Sequence, residues 1–167
     1  MTERGKRGAR CSPMQKQIFL DDIVSGRRVT AGPYRATTEE IVEFGRRWDP
    51  LPHHVDEAAA AASMFGGLIA PGIYVLAIKM NLIHRLPENA VVLASMGYDE
   101  VRFLQPVRPG DDLTLEMEWV EKRPSNSKPD CGIAKQRFTL FNQHGQKVLN
   151  HLDTILVPLR NPAPARG

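Results

Sequence analysis

Two histidines and two carboxylates lie within nine residues of one short stretch, residues 48–56, whose sequence is WDPLPHHVD. Histidine titrates near neutral pH, so it exchanges protons readily under physiological conditions. A carboxylate held beside such a histidine can act with it in general acid/base catalysis. Two prolines restrict the backbone of this stretch and hold Asp49 and His54 on a stiff turn. We therefore predict that Asp49 and His54 form a catalytic acid/base pair.

The spacing alone leaves other interpretations of this stretch open. His54 is also compatible with an ordinary turn histidine, and His53, His54 and Asp56 with metal ligands. Adjacent histidines point in different directions and no further ligand cluster follows, so we predict no metal. Asp56 precedes the alanine-rich residues 57–62. We interpret Asp56 as the N-cap of a short helix.

A second stretch, Leu-Ile-Ala-Pro-Gly at residues 68–72, opens the longest apolar run of the chain. The run predicts a buried helix over about 72–86, which Pro87 ends. Backbone N–H groups at a helix N-terminus stabilise developing negative charge. Pro71 has no N–H group, so the donor must be Gly72 or a residue close behind it. Gly72 is therefore our candidate for the backbone donor of an oxyanion hole.

Together these groups match the requirements for adding water to a double bond next to a thioester, or for removing it. That reaction needs a group that activates water, a group that handles the proton at the α-carbon, and donors for the enolate oxygen. Asp49 and His54 suit the first two roles, and Gly72 suits the third.

The elements that position these residues also follow from the pattern. Thr37 begins a capping box, and the helix behind it runs over about 38–48 until Pro50 ends it. After Pro87 the apolar residues alternate, which predicts strands at about 90–98, 100–104, 113–122, 133–142 and 147–157. The fold class is thus α+β, with an antiparallel sheet wrapped around one long helix. Pairing with a second copy would cover a free sheet edge.

Composition limits the other possibilities. The 167 residues carry a net charge of +3, but residues 1–16 hold five basic residues and one acidic residue, so the remainder is nearly neutral. We predict a flexible basic tail at 1–16, one domain at 17–158, and a flexible tail at 159–167. No nucleic-acid partner is expected. The chain shows neither a membrane span nor a secretory signal, and we expect a cytoplasmic protein.

Three segments together resemble the MaoC-like dehydratases, a family that includes the R-specific enoyl-CoA hydratases and has the hot dog fold. Residues 49–56 and 65–72 are similar to the hydratase motif and to the turn before the central helix. Residues 98–111 look like a second family signature, in which a strand leads into a Pro-Val-x-Pro-Gly-Asp loop. The hairpin at 142–148 is also similar. The resemblance spans about residues 19–157, nearly the whole predicted domain.

The resemblance implies a single hot dog domain acting as an acyl-CoA hydratase or dehydratase, a hydro-lyase. It implies Asp49 and His54 as catalytic residues and the Gly72 amide as the oxyanion donor. It further implies a homodimer or an assembly of dimers, and no cofactor beyond the coenzyme A thioester that serves as substrate. The predicted substrate-binding residues are Leu51, Ala70, Pro71 and Tyr74, and Arg102 and Arg108 are candidates for contacting the coenzyme A phosphates.

Two positions depart from the family pattern. Leu51 stands where many active hydratases have asparagine, and Pro71 where many have histidine or serine. An acyl-CoA thioesterase on the same fold and a non-catalytic acyl-CoA-binding subunit therefore remain alternatives. The presence of Asp49 together with His54 favours an enzyme, because a binding module needs neither.

Overall fold

The computed structural model describes residues 15–161, which form two sheets and four helices. A single turn of 3-10 helix, Leu20–Asp22, follows the first strand. In chain order the elements are β1 Lys16–Ile18, β2 Arg28–Arg35, α1 Thr38–Trp48, α2 Pro52–Val55, α3 Glu57–Ala62, α4 Gly72–Ile83, β3 Glu88–Ala90, β4 Ala94–Phe103, β5 Asp112–Pro124, β6 Cys131–Phe141 and β7 Lys147–Pro158.

The main sheet has five strands in the order β2-β5-β6-β7-β4, and every neighbouring pair is antiparallel. β2 and β4 are therefore its edges. β1 and β3 form a separate parallel pair. Residues 90–98 and 100–104, predicted as two strands, belong largely to β4, which is interrupted by a register shift between Asp99 and Arg102.

Helix α4 packs its apolar residues into the core beside the buried faces of β5, β6 and β7. Val75, Ile78 and Leu82 are almost completely buried, because their helical spacing places them on the face of α4 that meets the sheet. Alternating residues of the strands form the opposite side of this core. The predicted α+β architecture is confirmed. None of the helices in residues 15–161 is long and apolar enough to cross a membrane.

Helix α4 is shorter than predicted, because it ends at Ile83 instead of about residue 86. Pro87 disfavours the helical conformation in the residue before it. The Gln15 side chain also donates to the carbonyl oxygens of Ile83 and Leu86, at 3.1 and 2.8 Å. Pro87 has no N–H group to bond the Ile83 carbonyl, and the Gln15 side chain supplies a donor to it instead.

The predicted tail boundaries also differ from the structure. Lys16, assigned to the N-terminal tail, pairs with Glu88 in the small sheet. Leu159, assigned to the C-terminal tail, donates its N–H to Asp130 at 2.8 Å. The folded part therefore extends beyond 17–158 at both ends. The remainder of both predicted tails, residues 1–14 and 162–167, lies outside the described residues.

Candidate active site

Asp49 takes its position from the end of α1. The helix begins at the Thr37 cap, whose hydroxyl accepts from the Glu40 N–H at 3.2 Å. It ends at Asp49, whose N–H donates to the carbonyl of Gly45 at 2.9 Å before Pro50 redirects the chain. The Asp49 side chain is one-third exposed, so its carboxylate is accessible to solvent.

His54 lies in the single-turn helix α2 and is buried. Its Nδ1 lies 2.8 Å from the carbonyl oxygen of Ile69. Because a carbonyl only accepts, Nδ1 carries the proton of the neutral ring. Nε2 then holds the lone pair and lies 3.6 Å from Oδ2 of Asp49. The structure thus brings the two predicted catalytic side chains together, with the basic nitrogen facing the carboxylate.

Gly45 allows α1 and α2 to approach each other this closely. A Cβ at Gly45 would lie 2.9 Å from Cγ1 of Val55 and 3.2 Å from Cβ of His54. Both distances are shorter than ordinary van der Waals contacts. The absence of a side chain at Gly45 therefore sets the separation between the helix that carries Asp49 and the one that carries His54.

A cavity of about 320 Å³ opens beside His54. Gly72 and Val75 of α4 form part of its wall. Pro71 is the residue before the helix, and Gly72 contributes the first N–H of α4, which has no acceptor within the helix. The remaining lining is mostly apolar: Phe65, Ile69, Ala70, Phe103, Leu104, Gln105, Pro106 and Val107. A buried histidine and a helix N-terminus therefore border one apolar cavity.

The predicted substrate-binding residues divide into two groups. Ala70 lines the cavity, with its N–H bonded to Val107 at 2.8 Å, and Pro71 is buried between Ala70 and Gly72. Leu51 does not line the cavity. It immediately precedes α2, and its side chain is 47% exposed.

Tyr74 also lies elsewhere, because it is on the side of α4 that packs against α1. Its hydroxyl donates to Glu40 at 2.9 Å, and Tyr34 donates to the other oxygen of the same carboxylate at 3.0 Å. Burial and these hydrogen bonds raise the pKa of Tyr74 far above its ordinary value. Tyr74 borders a separate pocket beside Phe44 and Trp48.

Phe103 lines the cavity, but it was not predicted from the sequence as a site residue. A Cβ at Gly72 would lie 2.9 Å from its ring, so only glycine permits this contact. Ile69 was also missed, although its carbonyl orients His54. Phe103 could have been predicted as a site residue, because it lies within residues 98–111, which resemble the second family signature. No local signal indicates the contact with Ile69, which is 15 residues from His54.

The two arginines considered for phosphate binding differ in position. Arg108 donates to the carbonyl of Phe65 at 2.7 Å and so lies near the cavity lining. Arg102 donates to the carbonyl of its neighbour Val101 at 2.9 Å. Arg108 is therefore the better placed of the two to contact a charged group near the Phe65 side of the cavity.

Comparison with known proteins defines the class. The model of the MaoC like domain matches residues 23–139, so this chain belongs to that family. YdeM of Bacillus subtilis (strain 168), an uncharacterised protein, is 29% identical over 139 residues, which cover 83% of this chain and 97% of YdeM. Mesaconyl-CoA hydratase of Cereibacter sphaeroides is 30% identical over 120 residues, which cover 70% of this chain and 35% of that protein.

Solved structures agree with this assignment. The MaoC-like dehydratase of Rhodospirillum rubrum is 33% identical with a TM-score of 0.79, covering 86% of this chain and 99% of that one. The R-hydratase PhaJ1 of Pseudomonas aeruginosa is 26% identical with a TM-score of 0.69, covering 90% and 97%. A Mycobacterium tuberculosis protein with a double hot dog fold is 21% identical with a TM-score of 0.70, covering 90% and 47%. The predicted hot dog fold is confirmed.

Proposed function

We propose that this protein is an acyl-CoA hydratase or dehydratase, which adds water to the double bond of an enoyl thioester or removes it. The observation that carries the proposal is the pairing of His54 Nε2 with Asp49 Oδ2 at 3.6 Å beside an apolar cavity. Two similar proteins, an R-hydratase and a mesaconyl-CoA hydratase, are named for hydration and support the same reaction class. We propose no cofactor beyond the thioester itself.

In the proposed reaction, one water molecule forms hydrogen bonds to both Nε2 of His54 and the Asp49 carboxylate. Nε2 takes one proton from the water while the water oxygen forms a bond to the β-carbon. The electron pair of the double bond moves toward the thioester carbonyl, whose oxygen accepts from the Gly72 N–H. The enolate then collapses, and the α-carbon receives a proton from the protonated His54–Asp49 pair. Dehydration follows the same steps in reverse.

The cavity surroundings are consistent with an acyl thioester. The apolar wall formed by Val75, Phe103 and Val107 suits an acyl chain. Arg108, beside Phe65 of the cavity wall, suits a phosphate of coenzyme A. Leu51 directs no polar group toward the cavity, so Asp49 and His54 must orient the water without help from that position.

We further propose that two copies associate through the edge strand β4. Nearly every residue of β4 is exposed, including Met96 and Phe103. Exposed apolar edge strands pair readily with other chains. Phe103 also lines the cavity, so a partner that covers β4 would close the acyl site as well. A homodimer or an assembly of dimers satisfies this arrangement.

Variants of the two catalytic residues test the proposal. Asp49→Asn and His54→Ala should each lower kcat for enoyl-CoA hydration by at least about 10²-fold, the usual size for an acid/base group. His84→Ala is the matched control, because His84 is exposed beyond the end of α4. Its activity should equal that of wild type. Activity near wild type in either Asp49→Asn or His54→Ala contradicts the assignment.

A further inference from the structure

Four polar side chains are buried between α4 and the sheet, and the proposed mechanism uses none of them. Lys79 on α4 and His151 on β7 are both 0% exposed. Asp153 on β7 and Gln136 on β6 are also buried. Lysine is almost never fully buried without a partner, because removing its charge from water is costly. This Lys79 cluster therefore calls for an explanation beyond core packing.

The Lys79 ammonium is surrounded by soft groups. Nζ lies 4.4 Å from the ring centre of Tyr98 and 5.1 Å from that of Phe138. Its hydrogen-bond acceptor is Sδ of Met80 at 3.3 Å. Across residues 15–161, no carboxylate forms an ion pair with it. Burial lowers the pKa of Lys79 to about 8, so it still carries its charge at pH 7.

Several polar groups of the Lys79 cluster lack a hydrogen-bond partner in the described part of the chain. Within the described part of the chain, Nε2 of Gln136 and both ring nitrogens of His151 have no hydrogen-bond partner. Burial lowers the pKa of His151 to about 4, so the ring is neutral and offers one N–H. The Asp153 carboxylate is the acidic member of the cluster, and Ser95 donates to it at 3.4 Å. Lys79, Gln136 and His151 thus present N–H groups that lack an oxygen acceptor.

The Lys79 cluster lies further along α4 than the residues of this helix that line the cavity. Val75 lines the cavity, and Lys79 follows it by four residues, which places both on one face of α4. On β4, Phe103 lines the cavity and Tyr98 covers Lys79. Seven residues separate Gly72 from Lys79, or about 10 Å along the helix axis. A ligand that extends from Gly72 along α4 therefore points toward the ammonium group.

Tyr98 of the edge strand β4 covers Lys79 on the side that faces away from Phe138. Register shifts lie on both sides of it in β4, between Ser95 and Gly97 and between Asp99 and Arg102. The strand is therefore least regular where Tyr98 shields Lys79 from the outside.

We propose that the acyl group of the substrate carries a terminal carboxylate, which binds Lys79 and accepts from Gln136 and His151. This inference rests on the proposed hydratase function and names its substrate class: enoyl thioesters of dicarboxylic acids. A span of about 10 Å corresponds to an acyl chain of roughly six to eight carbons, since the lysine side chain leans back toward the helix N-terminus.

Two matched substrates test the inference on the wild-type protein. They are trans-2-octenoyl-CoA and the coenzyme A thioester of trans-2-octenedioic acid, which differ only in the terminal carboxylate. We expect kcat/KM to be at least about ten-fold higher for the dicarboxylic substrate, because a buried ammonium binds a carboxylate strongly. Equal values, or a preference for the octenoyl substrate, overturn the inference while leaving the hydratase function intact.

Two variants separate ligand binding from a structural role. Lys79→Met replaces the charge with an apolar side chain of similar length, so folding should persist. It should lower the dicarboxylic-to-octenoyl ratio of kcat/KM by at least about ten-fold. Asp153→Asn should raise that ratio, because it removes a negative charge near the ligand carboxylate. If both variants shift the melting temperature alike and leave the ratio unchanged, Lys79 and Asp153 form a structural pair and the inference fails.

A binding measurement keeps this inference distinct from the proposed reaction. Calorimetry with octanoyl-CoA and the saturated octanedioic acid monothioester of coenzyme A requires no turnover. Tighter binding of the dicarboxylic ligand by about ten-fold or more, lost in Lys79→Met, supports the site even if no enoyl-CoA is hydrated. Equal binding of the two ligands overturns it.

Discussion

Replacing Gly45 with alanine tests whether the contact between α1 and α2 positions His54. The added Cβ would lie 2.9 Å from Cγ1 of Val55 and 3.2 Å from Cβ of His54, whereas ordinary contacts begin at 3.4 Å. Helix α2 must therefore move by about half an ångström relative to α1. The 3.6 Å contact between His54 and Asp49 changes with it, because Asp49 is fixed to the end of α1.

The expected effects on stability and on activity differ in size. Alanine improves helix propensity by about 1 kcal/mol over glycine. Overpacking costs about 1–3 kcal/mol, so the net loss of stability in Gly45→Ala is roughly 0–2 kcal/mol. A misplacement of 1 Å in a catalytic group can cost about 10²-fold in rate, so half that shift predicts a loss on the order of ten-fold.

The assay compares kcat for enoyl-CoA hydration with thermal unfolding of the same samples. Arg46→Ala is the matched control, because Arg46 is an exposed residue of α1 and the variant adds no atom between α1 and α2. The double variant Gly45→Ala/Val55→Ala should recover part of the lost activity, since it removes the atom nearest to the new Cβ. A folded Gly45→Ala protein with wild-type kcat would refute the claim that α1 sets the position of His54.

Three further predictions concern stability and assembly. Burial lowers the pKa of His151 from 6.5 to about 4, so the ring is neutral in the folded protein at pH values above about 4. Between pH 6.5 and 4 the unfolded chain therefore binds one more proton than the folded protein. The free energy of unfolding falls as the pH drops through that window. Denaturant titrations measure the free energy of unfolding at pH 7 and at pH 4.5. Between these two pH values, His151→Phe should lose about 2 kcal/mol less of this free energy than the wild type loses, and an equal loss in both proteins contradicts the prediction. Asp56→Ala should cost about 1 kcal/mol in the same titration at pH 7, because the Asp56 carboxylate caps α3 through the Ala59 N–H at 2.9 Å, and no loss contradicts the cap. Met96→Glu on β4 should convert a dimer to a monomer in analytical ultracentrifugation, whereas a monomeric wild type contradicts β4 pairing.

Local signals predicted much of the architecture. The capping residue Thr37 and the proline at position 50 gave the bounds of α1, and the structure confirms both. Asp56 was predicted as an N-cap, and it accepts from Ala59. These features depend on residues within one or two turns of each other, so they are readable in the sequence.

Features that depend on distant residues were not predicted. The carbonyl of Ile69 fixes the His54 ring across 15 residues, and the Gln15 side chain satisfies the end of α4 across more than 60 residues. A lysine within a helix is ordinarily exposed, yet Lys79 is buried because Tyr98 and Phe138 from two strands cover it. Nothing in the spacing around Lys79 indicates those contacts.

The most direct test of the proposed function follows both possible products of one wild-type reaction. The purified protein is incubated with an enoyl-CoA while the enoyl absorbance and the free thiol are measured together. Hydration predicts loss of the enoyl absorbance without thiol release, and the loss should be at least about 10²-fold slower in His54→Ala. Stoichiometric thiol release would identify a thioesterase, and unchanged absorbance across enoyl-CoAs with six to eight carbons, with and without a terminal carboxylate, would contradict the assignment of Asp49 and His54 to hydration.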